Sequence, residues 1–442
     1  MNLNNSPKIL SPIFDMQYPN ENIVFQEGLF TLKWENEDYT IFGELVLNWL
    51  PSIQIVFKGK LDENTKIIDF KTFSSSLLIE LSCTELNFYS KGVLRKTRKN
   101  NNEIECLLVS PVKIGNVNEP VENIRFELTN QEQRCGDIVQ VNESSAFYNR
   151  LELKDDKYKI ILDQYADFLK LKSELQQCGG YQFLSSGKID VENGESFRLN
   201  DVESTLAKLS AFLQFLNARK CPPLIVYGFS SDKIVWKYIQ VRESDSDEYY
   251  NGWVLKNENM KLHEIWNKFC EIWSDKNDKD SLQLILHWYN EANKKKISIE
   301  GRIVLIQNAL ELMFNWLIFE KFEYVTVTDA NNMSASAKIG FLLSFFQIDS
   351  KISDDLLELK KYAEEYNYIN SSETFVSIRN SLVHSTLKKR KRLETLSEQA
   401  KKEALNLGVW FVEVLLLKLL GHNGFYQNRC KQLKNYDAKD KI

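Results

Sequence analysis

A chain of 442 residues exceeds what one hydrophobic core usually supports, so two or three domains are expected. A composition that is 43% hydrophobic and 26% charged, with only 17 Gly and 8 Pro, excludes a largely disordered or linker-rich protein. A net charge of −5 excludes one that coats nucleic acid by overall attraction, so any nucleic-acid site must be a local patch.

The first twelve residues lack the basic start and apolar run of a signal peptide, which points to a chain that is not exported. From about 22 to 145, short runs rich in Val, Ile, Phe and Tyr alternate with clusters of Asn, Ser, Asp and Gly, which predicts an antiparallel sheet. Its clearest strands are 28–34, 39–47, 53–57, 77–81, 86–89, 104–109 and 124–128. In the second, Ile41, Gly43, Leu45 and Leu47 alternate with Phe42, Glu44, Val46 and Asn48, a period of two. Gly43 inside that strand marks a bulge or a close backbone approach. Residues 150–270 read as mixed, with helical spacing in 159–177 and 202–217 and strands at 224–229 and 234–241. They complete an N-terminal module, 1–273, with a sensing or regulatory part to play. The run 274–280, S-D-K-N-D-K-D, is polar throughout and is the predicted boundary.

Beyond it the pattern is helical: 281–291, 299–320, 336–346, 353–366, 372–385 and 393–420, with Gly421 as a C-terminal stop. The expected fold class is therefore α+β and multidomain: a β-rich module, an all-α bundle over 281–425, and a tail, 426–442. The two most apolar stretches, 303–319 and 409–420, are interrupted by Gln307, Asn308, Glu311, Asn315, Glu413 and Lys418, which suits helices packed in water and predicts no membrane span. Seven scattered cysteines, never two residues apart, read as reduced cytosolic thiols and not as zinc ligands.

The most informative string is R-N-S-L-V-H, on the helix 372–385. At about 100° per residue, Asn380 and His384 share a helix face, and Arg379 stands roughly 140° from His384, within reach of its long side chain. Leu382 and Val383 are expected to face the core. Cleaving RNA without a metal takes a group that moves protons between the 2′-hydroxyl and the leaving 5′-oxygen, and a cation for the charged phosphorane. Imidazole titrates near neutrality and suits the first task; guanidinium keeps its charge and grips phosphate oxygens, which suits the second. Asn380 can orient the imidazole or bond the phosphate. Lys388, Lys389, Arg390, Lys391 and Arg392 follow directly and would give an acidic chain the local positive field that RNA requires. Glu311, inside an apolar helix, needs a partner or water; pairing with Arg379, orienting His384, or a surface position are all open to it. His263, His287 and His422 lack such companions and read as structural.

With the motif on the penultimate helix of a bundle, residues 281–425 resemble the HEPN superfamily, through I-Q-N-A-L-E-L-M-F-N-W-L and F-V-S-I-R-N-S-L-V-H-S. The resemblance implies a metal-independent endoribonuclease without a cofactor, working as a homodimer in which two Arg-Asn-x-x-x-His motifs face one composite site. It assigns catalysis to Arg379, Asn380 and His384, with RNA as the partner and transfer RNA among the candidates. The front part, with E-G-L-F-T-L-K-W, Y-T-I-F-G-E-L-V-L and I-Q-I-V-F-K-G-K-L, resembles the N-terminal domain of ApeA-type anti-phage proteins. That similarity implies cytoplasmic abortive-infection defence, with a phage-derived trigger at the N-terminal domain. The alternative reading is non-catalytic: a HEPN dimerisation or nucleotide-binding bundle with a partner-binding β domain. A glycan-binding β-sandwich with a helical dimerisation tail is the third, but Trp34, Trp49, Tyr89 and Trp236 sit at strand positions better suited to a core.

Overall fold

In the computed structural model the described residues are 6–14, 16–34, 37–61, 77–98, 103–109, 111–240, 243–246, 252–383, 386–387, 392–394, 396–431 and 439–442. The fold class is the expected one, an antiparallel β-rich region followed by a helical region. Two compact units divide the chain, one of 1–133, 137–210 and 221–247, the other of 134–136, 211–220 and 248–442. Residues 248–273, assigned to the N-terminal module by sequence, thus lie in the helical unit.

Six strands, β1 (Ile23–Trp34), β2 (Glu37–Asn48), β3 (Gln54–Leu61), β4 (Leu77–Cys83), β5 (Phe88–Arg98) and β6 (Glu103–Leu108), close into an antiparallel barrel in the order β1-β2-β3-β6-β5-β4. Alternation along β2 turns Ile41, Leu45 and Leu47 inward, all 1% exposed or less, while Phe42 stays 53% exposed. The close approach expected at Gly43 is real: Gly28, Gly43 and Gly59 are cross-strand partners, and a Cβ on Gly43 would lie 2.5 Å from the Phe57 ring. Phe57 occupies that space and meets Phe30 edge-on at 5.1 Å, so the missing side chains admit one large one.

The second sheet of this unit has eight strands: β7 (Val112–Ile114), β8 (Asn123–Thr129), β9 (Asp137–Asn142), β10 (Ser145–Lys154), β11 (Tyr158–Gln164), β12 (Phe183–Val191), β13 (Ile225–Ser230) and β14 (Lys233–Ile239), ordered β7-β14-β13-β8-β12-β11-β10-β9. The helix expected over 159–177 is corrected here. Its first part is β11, with Tyr158, Ile160 and Leu162 buried in alternation, and only α1 (Phe168–Cys178) is helical. The run Y-K-I-I-L satisfies both periods, and pairing with β10 and β12 decides between them. The helix α2 (Leu199–Asn217) follows as expected. Ahead of β1 the chain runs beside the sheet: Ile9 N–H donates to Gln140 O and Gln140 N–H to Pro7 O, both at 2.9 Å, a parallel bridge along the outermost strand, β9. Leu10 N–H then donates to Asp163 and Ile13 N–H to Glu127, at 2.8 and 2.7 Å.

The helical unit comprises α3 (Leu262–Ser274), α4 (Lys276–Asn293), α5 (Ile299–Phe314), a π-helical turn (Asn315–Lys321), α6 (Val327–Asn332), α7 (Ala335–Phe345), α8 (Leu357–Glu365), α9 (Ser371–Val383) and α10 (Glu398–Leu419). The polar run 274–280 is a helix start: Asp275 accepts from the N–H groups of Asn277 and Asp278 at 2.8 and 2.9 Å, an N-cap that only polar residues supply. Asp278 then accepts the Trp316 indole N–H at 2.7 Å and pairs with Lys321, so it anchors the π turn. Gly421 ends α10 as expected, at φ +69, with His422 N–H to Leu417 O and Gly421 N–H to Lys418 O, a Schellman closure. The expected tail is instead tied down: β15 (Phe425–Gln427) pairs with β16 (Lys439–Lys441). Arg429 forms an ion pair with Glu413, fully buried in α10, which also accepts from Tyr289 at 2.7 Å. Among the described helices only the stretch Ile299–Lys321 is long and apolar enough to cross a membrane, and 56% of its most apolar window is buried.

Candidate functional site

The motif helix α9 has a closely specified start. The Asn370 side chain accepts from Glu373 N–H at 2.8 Å, a side-chain N-cap, and the Glu373 carboxylate reaches back to Ile369 N–H, one residue before the cap, at 3.0 Å. Ser371 N–H and Oγ both donate to Ser350 O, at 2.8 and 2.6 Å. The buried stripe is Thr374, Phe375, Ile378 and Ser381. Gly408 on α10 makes room for it: a Cβ there would lie 2.5 Å from the Phe375 ring and 2.8 Å from Ile306 on α5. Leu382 and Val383 do not face the core as expected, for Leu382 is half-buried and Val383 is 46% exposed. The hydroxyl of Ser381, donating to Ser377 O at 3.0 Å, takes the inner position in their place.

This rotation leaves Arg379 and Asn380 on the partly open flank of the helix. Arg379 Nη1 donates to Asn380 Oδ1 at 3.2 Å, and its Nε is buried with no hydrogen-bond partner among the described residues. A half-buried guanidinium positioned by its neighbour keeps its charge and can offer its outer N–H groups to an anionic oxygen. His384, Lys388, Lys389, Arg390 and Lys391 lie outside the described residues. Glu311 is half-buried and accepts from Gln307 Nε2 at 2.6 Å. Among the described residues it forms no ion pair with Arg379.

Arg392, predicted to bind RNA, is engaged within the chain. Its guanidinium lies 5.0 Å over the Tyr366 ring, and Nη1 donates to Tyr368 OH at 3.1 Å. Tyr368 in turn bonds Ser377 of α9, so Arg392 braces the motif helix against the turn before it. The sequence signal was present in Y-A-E-E-Y-N-Y, three tyrosines within seven residues, but nothing in their spacing named Arg392 as their partner. Of the other histidines only His422 is buried, at 8% exposed, with a ring nitrogen 3.1 Å from Phe425 O and a pKa lowered by burial; His263 and His287 are exposed.

Residues 116–250 match the family described as YopA central domain, and residues 275–439 match the one described as YopA C-terminal domain. The resemblance is to YopA. Over 419 residues the chain is 26% identical to the SPbeta prophage-derived uncharacterized protein YopA of Bacillus subtilis (strain 168), covering 93% of this chain and 92% of that protein. No solved structure matches. The YopA C-terminal match begins at Asp275, the residue that caps α4, and includes the whole motif helix. The YopA central match takes in β8 to β14, and the barrel lies outside both domain matches.

Proposed function

We propose that the helical unit is a metal-independent endoribonuclease of the HEPN type, with Arg379, Asn380 and His384 as its reacting groups. The observation that carries this reading is the Arg379–Asn380 pair on α9, a half-buried guanidinium held by an amide, with Nε unpartnered among the described residues. In the proposed step, the His384 imidazole takes the proton of a ribose 2′-hydroxyl as the 2′-oxygen attacks the adjacent phosphorus. The bond from phosphorus to the 5′-oxygen breaks, and that oxygen takes a proton from an imidazolium, its own or that of a second copy. A 2′,3′-cyclic phosphate and a 5′-hydroxyl result, with atoms and charge balanced and no electron transfer. Arg379 stabilises the extra negative charge of the phosphorane, and Asn380 orients the groups around it. Lys388, Lys389, Arg390 and Lys391 supply the positive field for RNA.

The setting we propose is abortive infection in the cytoplasm, with a homodimer built on the helical unit and a phage-derived trigger acting on the β-rich region. The similarity to a prophage-derived protein supports that setting, since a resident phage gains when its host resists a rival. Induced expression of wild type, Arg379→Ala and His384→Ala, followed by sequencing of RNA ends with transfer RNA read first, tests the reaction. Wild type is expected to yield new cyclic-phosphate ends and growth arrest. Either variant should lose roughly a hundredfold or more in cleavage, and undiminished cleavage by His384→Ala would remove the assignment.

A further inference from the structure

The wall of the barrel is sunken where β1, β2, β3 and β6 lie side by side, a depression of about 480 Å³. Its volume falls within the range of small-ligand sites. Gly43 and Gly59 line it. On the inner side the Phe57 ring fills the space their side chains would take, and a Cβ on Gly59 would lie 2.7 Å from that ring. Trp34, Trp49, Tyr89 and Trp236 take no part in the lining.

Strand register sorts the outward side chains into two rows across the wall. One row is Glu27, Glu44, Lys58 and Glu105; the other is Leu29, Phe42, Lys60 and Glu103. Glu44, Lys58 and Glu105 are half-buried. Their charged groups, and that of Lys60, have no hydrogen bond or ion pair among the described residues. Beside them Phe42 is 53% exposed and Leu29 62%, an apolar pair on a charged wall.

The order of the charges decides what fits. Lys58 and Lys60 stand on β3, with Glu44 on one neighbouring strand and Glu103 and Glu105 on the other. An anion would meet carboxylates on both flanks, and a cation would meet two ammonium groups in the middle. A hydroxyl both donates and accepts, so a neutral polyol satisfies lysines and glutamates together. A sugar ring adds an apolar C–H face, which complements an exposed phenyl ring.

We propose that this depression binds a neutral oligosaccharide, one sugar ring laid on Phe42 and its hydroxyls held by Glu44, Lys58 and Glu105. The site is on the β-rich unit and is independent of the nuclease reading, so either can fail alone.

Saturation-transfer NMR of the full chain with cellotriose, maltotriose and triacetylchitotriose tests the proposal. At least one of these sugars is expected to bind at millimolar concentration, with transfer concentrated on the C–H protons of one ring. Phe42→Ala and the double variant Glu44→Ala/Lys58→Ala should each reduce that transfer at least fivefold. Phe42 is largely exposed, so its removal leaves the core intact, and an unchanged thermal midpoint verifies this. Spermidine, titrated alongside, is expected not to displace the sugar. Absence of transfer to all of the sugars, transfer that survives both variants, or displacement by spermidine overturns the assignment.

Discussion

Glu127 is 1% exposed on β8, where Ile13 N–H at 2.7 Å, Tyr165 OH at 2.6 Å and Ser186 Oγ at 2.9 Å all donate to its carboxylate. Burial outweighs these donors and pushes its pKa from 4.5 up to about 8. A carboxyl whose folded pKa lies above its unfolded one favours the fold fully below the unfolded value, and that contribution is lost as pH rises through the folded value. Thermal unfolding followed across that interval should therefore show stability falling between pH 4.5 and about 8, by something on the order of a few kcal/mol. Glu127→Gln, neutral at every pH, should flatten that decline; a variant that keeps the full slope would assign it to other groups. The sequence gives no hint of this, since F-E-L in a strand looks like an outward carboxylate until the N-terminal segment covers it. At the motif, by contrast, Arg379 and Asn380 are neighbours in the chain, and the long Arg379 side chain bends round to donate to the Asn380 amide.

Elements with one dominant period were readable. Alternation in β2 and the apolar stripe of α5 could be assigned because each fits one geometry and fails the other. β11 could not, because its buried and exposed positions satisfy both periods and its neighbours in the sheet are distant in sequence. The aromatic stripe of α3, Trp266, Phe269 and Trp273, falls in the region that reads as mixed, and the polar start of α4 reads as a domain boundary; both depend on what the segment packs against. The contact of α9 with α10 is equally hidden in the sequence, since it rests on the absence of a side chain at Gly408. Gly408→Ala forces the Phe375 ring or Ile306 to move, and should cost about 1–3 kcal/mol in a denaturant titration. Phe375→Leu in the same background should recover part of that loss; no recovery would mean that the strain lies elsewhere.

Across the molecule, the two sheets of the β-rich unit end differently. The barrel is continuous, with β4 paired to β1. The eight-stranded sheet stops at β9, and residues 7–9 run along that strand. Deleting residues 1–10 is expected to leave the chain folded but self-associating in a concentration-dependent manner, measured by light scattering, because an uncovered strand offers backbone donors and acceptors to any copy that meets it. A truncated chain that stays monomeric would show that β9 needs no cover. The choice of fusion site follows from the same contact. A bulky handle spliced close before Pro7 would tug at the lining of that strand, so clumping in such a preparation would reflect the handle and not the native protein.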